Sequence, residues 1–573
     1  MVASMVVSGS ALASPQCLRP DDAATHLRQV AFEDPSPQAA LAAAKEYLEA
    51  LNAIATKQSR PECFDDMERD VPKLREKLCG PTAADRDGET CVLLATVASD
   101  IERLHAQRLV EQADRLGGDA AQPLFAKAGA AYVDIFRAHC EEPSFEQRPL
   151  HGTVAGCTEI VFNAARAFYA AHLSSKAIVT HRMLLTFDER MKAHSPLAVR
   201  SLRELGALYQ GLVLYEQAAE YYERYATSSP ASPHADEALR DAVILRLGLG
   251  DEAQATKDAA TFAKTYGATK RAETAELAVA LASHHAEHEN WARAATVITS
   301  SLSMIDRAPL DITIRAHLLL AHAHSKSGTR ERAAAEYANI RAMWRDPSGA
   351  AQAIRRGWPG EDESQQTRRL ARSLVAVGEA MFVAAETRRL AEVATLKFPV
   401  YQGPDDRAAV LAHLQTQVRP WFEKKRAAIA LVEADYLRIL ELQPAPPPAW
   451  VIAAGAAVGT MWSDLVADFG RVPIPGAWRK VPALYHAYWD AVDDMSESIR
   501  ARFAKPAMKK CVELGAKFQL RDEHARACEV WLAKNYKSEF HVVDELIPEF
   551  RATDLRALLH ASPSREPLTP PDR

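Results

Sequence analysis

Apolar residues recur every three or four positions along most of the chain, which is the period of an amphipathic α-helix. The first clear example begins at Ser36-Pro37, where the apolar side chains from Ala40 to Leu51 fall on one stripe. No segment alternates apolar and polar residues in the manner of a strand. The pattern predicts an all-α protein, with further helices at about 90–116, 122–139, 367–396, 420–442 and 450–469.

The stretch 201–230 has the pattern of two short helices that are joined by a turn and end at Pro230. Small and apolar side chains occur where two antiparallel helices would touch, which lets their backbones approach closely. The residues predicted to form this contact are Leu205, Gly206 and Tyr209 on the first helix and Ala218 and Tyr222 on the second.

The small residue Ala218 has counterparts before and after it at a nearly constant spacing. They are Ala177, Ala255, Ala294 and Ala333, so that successive members of the series are roughly 40 residues apart. In the same register, Tyr209, His285 and His324 occupy one position of the repeat. A helix pair of this length cannot bury its apolar face alone, so successive pairs must stack. The sequence therefore predicts an α-solenoid of antiparallel helix pairs.

The unit at 201–230 resembles the tetratricopeptide repeat (TPR), with its leucine-glycine, tyrosine, alanine, tyrosine and terminal proline positions. The match is close here and looser in the other units, whose steps exceed the usual length of about 34 residues. The resemblance implies TPR-like repeats over 121–345. The other predicted regions are an N-terminal helical region at 15–120, a linker at 346–366, a C-terminal helical TPR-like domain at 367–560 and a disordered tail at 561–573.

A second resemblance covers about 370–540 and depends on the order of short motifs. The motifs are Lys397-Phe398-Pro399, then Lys424, Ala427, Val432, Ala434 and Tyr436, then Trp450–Phe469, Val472-Pro473-Ile474-Pro475, Tyr488, Lys505-Pro506-Ala507, Cys511 and Leu514. This order is similar to that of the periplasmic TPR proteins of the myxobacterial gliding-motility machinery and their delta-proteobacterial relatives. The resemblance implies that the protein belongs to a complex of the cell envelope, of which the gliding-motility machinery is one example.

Composition and charge narrow the classes of partner. The chain has 573 residues, of which 48% are hydrophobic and 25% charged, as in an ordinary folded protein. Its formal net charge of −6 argues against the concentrated basic face that nucleic-acid binding requires. No phosphate-binding glycine loop, G-x-S-x-G motif or zinc-finger cysteine spacing occurs. We therefore expect no nucleic-acid partner and no cofactor.

Two features favour export from the cytoplasm. Residues 1–14 are predicted to be a signal peptide, because a short apolar run ends in Ala11-x-Ala13; without positive residues ahead of that run, an ordinary terminus is the alternative. The eight cysteines are even in number, as in disulfide-bonded proteins. They allow 105 pairings, and isolated buried thiols are also possible. The candidate disulfides are Cys140 with Cys157 and Cys511 with Cys528, since each pair flanks a helix-to-helix turn.

The segment 284–288 contains the H-x-x-E-H pattern of some zinc peptidases. In such a site His284 and His288 would bind the metal and Glu363 would be a distant third ligand. The repeat register favours a different explanation, because it makes His285 a packing residue. No metal site is therefore predicted, and a zinc-dependent hydrolase remains an alternative function.

First-helix residues that lie off the packing stripe would line a concave groove if the repeats stack. The candidate partner-binding residues are Arg203, Ala207, Gln210, Arg240, Ile244, Ser283, Leu318 and His322. A groove with this mixture of side chains suits a peptide or helix of another protein, and merely solvated side chains are the alternative.

These features predict a non-enzymatic TPR scaffold or adaptor that binds other proteins of the cell envelope. We expect it in the periplasm or at the outer membrane, and a cytosolic repeat adaptor is the alternative. The apolar run from Ala449 to Trp462 is too short to span a bilayer, which takes about 20 apolar residues. It is predicted to be a buried helix, and no transmembrane segment is predicted.

Overall fold

The computed structural model describes residues 17–19, 23–57, 62–80, 88–140 and 154–542, and the regular structure within these ranges is entirely helical. The predicted signal peptide at 1–14 and the predicted tail at 561–573 lie outside the described residues. The chain divides into two units, Met1–Thr269 (unit 1) and Lys270–Arg573 (unit 2). This division falls inside the segment 121–345 that the sequence predicts as one repeat domain.

In unit 1, each described helix packs against the next one along the chain. The helices are α1 (Ala23–Glu33), α2 (Pro37–Lys57), α3 (Glu62–Cys79), α4 (Glu89–Leu116), α5 (Gly118–His139), α6 (Val154–Ala170), α7 (Ser174–Met191), α8 (Pro196–Gly211), α9 (Tyr215–Ser228), α10 (Ala235–Gly248) and α11 (Glu252–Tyr266). Helices α2 and α4 also touch, as do α6 and α8. The predicted all-α solenoid is confirmed.

Unit 2 continues with paired helices and then longer ones. The helices are α12 (Arg271–Glu287), α13 (Trp291–Ile305), α14 (Leu310–Lys326), α15 (Arg330–Met343), α16 (Pro347–Gly357), α17 (Glu363–Arg388), α18 (Arg407–His413), α19 (Arg419–Leu440), α20 (Pro448–Asp468), α21 (Gly476–Arg479), α22 (Pro482–Ile499), α23 (Lys505–Lys517) and α24 (Glu523–Asn535). Its largest apolar core joins α14, α15, α17, α19 and α20.

The turns inside five successive helix pairs share one backbone feature. In each turn, a residue with positive φ lies five positions before the small repeat residue; these residues are His172, Val213, Gly250, Glu289 and Gly328, with φ between 58° and 79°. They therefore follow one another at the same steps as the alanine series. The left-handed conformation favours glycine, yet three of the five residues are not glycine. The repeat is therefore a property of the backbone as well as of the side chains.

Small residues allow close contact within the pair α8–α9. The residues Leu205, Ala218 and Tyr222 are buried, as are Ala177, Ala255, Ala294 and Ala333. The Tyr222 ring lies over Gly206, where an added Cβ atom would stand 2.5 Å from the ring. Tyr209 is half-buried and stacks on Tyr221, with the ring centroids 5.4 Å apart.

Replacing Gly206 with alanine is expected to lower the free energy of unfolding by about 1–3 kcal/mol through overpacking, although alanine is the better helix former. The new methyl group would overlap the Tyr222 ring. Gly211→Ala is the matched control, because no atom lies within 4 Å of its added Cβ. Urea unfolding followed by circular dichroism measures both variants. Equal stabilities for the two variants would contradict the close contact.

A buried charge network joins the first three helices. Asp70 on α3 is fully buried. Its carboxylate accepts hydrogen bonds from Arg28 Nε at 2.6 Å, Tyr47 Oη at 2.8 Å and Arg69 Nε at 2.9 Å. Burial acts to raise the pKa of Asp70, but the bonds from Arg28, Arg69 and Tyr47 outweigh it and hold that pKa below its ordinary value. The carboxylate is therefore charged inside the core.

All eight cysteines form disulfides. The pairs are Cys17–Cys63, Cys79–Cys91, Cys140–Cys157 and Cys511–Cys528. The last two are the candidate pairs of the sequence analysis. The Cys140–Cys157 bond joins the end of α5 to α6, and the Cys511–Cys528 bond joins α23 to α24.

The predicted linker at 346–366 differs from the structure, because it contains helix α16. The Asp346 side chain accepts a hydrogen bond from the Gly349 N–H at 3.1 Å, and Pro347 occupies the first turn. An aspartate N-cap followed by proline is a signal for a helix start: the aspartate accepts a hydrogen bond from a free backbone N–H, and proline has no N–H at a position where it would lack a partner. Ile354 is fully buried in the core of unit 2.

The segment Pro448–Arg471, which is α20 and its short continuation, is long and apolar enough to cross a membrane by length and composition. It has 24 residues and a mean hydropathy of 1.3. The helix is thus longer than the apolar run 449–462 on which the sequence prediction relied. Sixty-one per cent of its apolar window is buried inside the protein, a property shared by core helices of soluble proteins.

Candidate partner-binding surface

A cavity of about 690 Å³ lies on unit 1 and is lined mainly by α4, α6 and α8, with contributions from α5 and α7. One predicted groove residue, Ala207 on α8, belongs to this lining. Two close contacts involve helices that line this cavity. The Phe168 ring covers Gly129, where a Cβ atom would stand 2.8 Å away, and Tyr222 covers Gly206 in the same manner.

Charged side chains of both signs line this cavity. They are Asp114 on α4, Glu159 and Arg166 on α6, and Arg200 and Glu204 on α8. The Arg200 guanidinium lies over the Phe162 ring, 5.1 Å from its centroid, and its Nε atom is 3.5 Å from Glu204 Oε1. The lining therefore presents charges of both signs, one of them beside an aromatic ring.

Aromatic side chains add apolar surface to the lining. Tyr169, near the end of α6, is 61% exposed at the cavity. Tyr132 on α5 is buried, and that burial raises the pKa of its hydroxyl, so that the ring stays neutral. Exposed tyrosines beside polar groups are enriched in protein interfaces, because they combine contact area with a hydrogen-bonding group.

One wall of the cavity holds a neutral histidine. His181 Nδ1 lies 3.0 Å from Ser201 Oγ, and burial, with a smaller effect of the Arg200 charge, lowers the pKa of His181 to about 4. The Ser201 side chain is fully buried. This pair therefore links α7 to α8, and the hydroxyl is not exposed as a nucleophile would be.

The remaining predicted groove residues of α8 lie towards α9. Gln210 Oε1 accepts a hydrogen bond of 2.8 Å from the Tyr222 hydroxyl. Arg203 is half-buried near the same hydroxyl. Burial raises the pKa of Tyr222 to about 12, and the positive charge of Arg203 opposes part of that shift.

The two predicted groove residues of α10 are Arg240 and Ile244. Arg240 Nη2 lies 3.6 Å from Asp241 Oδ1, and Ile244 is 48% exposed.

The three predicted groove residues of unit 2 make contacts within that unit. Ser283 Oγ donates a hydrogen bond to the Val279 carbonyl at 2.8 Å. Leu318 is half-buried against the apolar core. His322 Nε2 lies within hydrogen-bond distance of Glu379 Oε1, and its ring meets that of Trp291 edge to face.

The histidine motif at 284–288 brings two rings together. The centroids of His284 and His288 are 4.6 Å apart. Within the described ranges, no group of three histidine, cysteine or acidic residues could hold a metal ion. His285 is buried on α12, at the repeat position that it shares with Tyr209.

Sequence reasoning missed two prominent cavity residues, Arg166 and Tyr169. They lie one repeat step before predicted groove positions, Ala207 and Gln210 respectively. The same step separates Ala177 from Ala218, the small residues of these two repeats. Extending the groove register back by one repeat would therefore have found them.

No protein-family model matches the chain, and no curated protein sequence matches it. Among solved structures, one similarity is to the crystal structure of BtubC (BKLC) from P. vanneervenii, at 17% identity over 42% of this chain and 88% of that one, with a TM-score of 0.25. Another is to a circular tandem repeat protein with novel repeat topology, at 12% identity over 90% of this chain and 94% of that one, with a TM-score of 0.12. Both TM-scores are too low to indicate a shared fold, so the solenoid assignment depends on the helix contacts of this chain.

Proposed function

We propose that this chain is a non-enzymatic, TPR-type scaffold or adaptor that binds other proteins of a bacterial cell envelope. The cavity on unit 1 is the observation that carries the proposal. Its lining combines charges of both signs with aromatic and small side chains. Such a lining suits an extended or helical segment of a partner, which needs several kinds of contact along its length.

An exposed apolar turn supports the same proposal. Leu212, Val213 and Leu214, which follow α8, and Tyr215, the first residue of α9, are 43%, 65%, 45% and 40% exposed. Large exposed apolar patches are a feature of protein-interaction sites.

The disulfides support a compartment outside the cytoplasm. All eight cysteines are paired, and disulfides persist in oxidising compartments such as the periplasm. We propose a periplasmic or outer-membrane-associated location. A place in a gliding-motility-type complex is the finer part of the proposal, and it depends on the motif order of 370–540.

Site-specific crosslinking in cells tests the binding surface. A photoreactive phenylalanine analogue at Tyr169 is expected to capture a discrete partner, because this side chain is exposed at the cavity. The matched control is the same analogue at Val179, which is 65% exposed on α7 and does not line the cavity. Charge reversal by Arg166→Glu should weaken the Tyr169 product. Equal capture from both positions, or none, would count against the proposed surface.

Cell fractionation tests the proposed location. We expect the protein in the periplasmic or outer-membrane fraction, with no thiol available for alkylation before reduction. A cytosolic protein with eight free thiols would instead establish the cytosolic alternative. Stoichiometric zinc that is lost in a His288→Ala variant would favour the hydrolase alternative.

A further inference from the structure

Unit 2 contains a separate cavity of about 480 Å³ between α15, α17 and α19. Four arginines surround it: Arg341 and Arg345 at the end of α15, Arg388 at the end of α17, and Arg438 on α19. One acidic residue, Asp435, is part of the lining. The groups that line this basic cavity come from three helices, and Arg341, Arg345 and Arg438 are exposed.

The acidic groups of this region are already engaged by arginine. Asp435 Oδ2 lies 2.9 Å from Arg388 Nη1, and its Oδ1 lies 3.3 Å from Arg438 Nη1. Glu392 Oε1 is 3.0 Å from Arg388 Nε. Over the described residues, neither of the two arginines at the end of α15 has an acidic partner within 4.0 Å. The lining thus holds four guanidinium groups and one carboxylate, and the two positive charges of Arg341 and Arg345 are not paired with a carboxylate of the described residues.

A buried indole adds an unused hydrogen-bond donor. Trp344 lines the basic cavity and is 5% exposed. Its Nε1 atom is buried and has no hydrogen-bond partner. Most buried polar groups are paired, and an unpaired one costs free energy. Guanidinium groups only donate hydrogen bonds, so a ligand that binds the arginines of this cavity must supply acceptors.

The lining of the basic cavity also has an apolar part. Val377, Met381, Ala384 and Ala385 belong to it and lie on α17, the helix that ends at Arg388. A ligand that fills the space would therefore have an anionic end and an apolar end. A free inorganic ion would satisfy only the arginine side.

We propose that the basic cavity binds the phosphate group of a phosphate monoester with an apolar substituent, a role beyond the proposed scaffold function. A phosphate monoester carries a charge of about −1.5 to −2 at neutral pH and has three acceptor oxygens. That charge matches the two positive charges left at the cavity, whereas a carboxylate would balance only one. Planar guanidinium groups also bind phosphate oxygens in pairs.

Calorimetric titration of the full chain tests this proposal. Phenyl phosphate is expected to bind saturably at constant ionic strength, and more tightly than either inorganic phosphate or benzoate. The double variant Arg341→Gln/Arg345→Gln should weaken phenyl phosphate binding by about tenfold or more, since both unpaired guanidinium donors are removed. Arg355→Gln/Arg356→Gln is the matched control, because these exposed α16 arginines change the net charge equally outside the cavity.

The Trp344 indole provides a local readout. In a spectrum of the ¹⁵N-labelled protein, the indole N–H signal that is absent in Trp344→Phe should shift on addition of phenyl phosphate. Signals of the other tryptophans should move less. This readout distinguishes binding in the cavity from binding elsewhere on the surface, and it does not require that the arginine variants be equally stable.

Two results would overturn the proposal. One is the absence of saturable binding by phenyl phosphate, and the other is an equal loss in the cavity variant and the α16 control. Benzoate binding as tightly as phenyl phosphate would refute the charge match. Vesicles with and without phosphatidic acid distinguish the sources of the monoester: capture of the phosphatidic acid vesicles indicates a lipid headgroup, and binding of soluble phenyl phosphate alone indicates a small metabolite.

Discussion

Replacement of Asp70 by alanine is expected to lower the free energy of unfolding by about 3–5 kcal/mol, the usual cost of removing one partner of a buried ion pair. The substitution would leave Arg28 in the core of α1–α3 without the carboxylate that balances it. It would also remove the acceptor of the Tyr47 hydroxyl bond. Urea unfolding of the oxidised protein at neutral pH measures the loss.

The contribution of Asp70 to the free energy of unfolding should depend on pH. Because the pKa of Asp70 is lower in the folded protein than in the unfolded chain, its contribution is present above the unfolded pKa of about 3.9 and is lost as pH falls through the folded value. The stability difference between wild type and Asp70→Ala should therefore shrink at acid pH. Asp100→Ala, at an exposed ion pair with Arg103, should cost about 0–1 kcal/mol. A loss of equal size at both positions would contradict the role of burial.

Removing the disulfide between Cys511 and Cys528 is expected to lower the free energy of unfolding by about 3 kcal/mol, because the bond closes a short loop and restricts the unfolded chain. Alanine is the suitable replacement, since both cysteines are fully buried in an apolar cluster where a serine hydroxyl would be unpaired. Urea unfolding before and after reduction measures the effect.

The Cys140–Cys157 bond is the natural comparison. Both disulfides have a sequence separation of 17, so the loop-closure term is the same for both. Double alanine variants of either pair should therefore lose similar stability. Reduction should lower the free energy of unfolding of each variant by less than it lowers that of the wild type. No change in the urea midpoint of either variant would contradict the pairing.

The bounds of several helices could be predicted closely, because the periodic apolar residues in the sequence are also the residues that pack in the core. The stretches predicted at 420–442 and 450–469 correspond to α19 and α20, whose apolar faces form one core. The helix within 346–366 was harder to predict, since proline and glycine occur both in linkers and at helix starts. The burial of Ile354 and the N-cap at Asp346 show that this segment begins a helix.

The candidate site was harder to predict than the fold. The repeat register predicts which first-helix residues lie outside the positions that pack against the neighbouring helix. Ala207 is one of them, and it does line the cavity on unit 1. It does not predict which of those side chains bond within the protein, as His322 does with Glu379. The basic cavity depends on arginines from three helices, and no pattern in the sequence indicates that Arg341 and Arg438 are close in space.

The distribution of the disulfides also determines how the chain would respond to mechanical load. No crosslink constrains the segment 158–510, because all eight cysteines lie outside it. At about 3.4 Å per extended residue, this segment would lengthen to roughly 1,200 Å if fully pulled out. Within it, the helices α7 to α11 each pack against the next one, and such helix pairs would open one after another. The middle of the chain would thus act as an extensible tether, while the crosslinked ends resist unravelling.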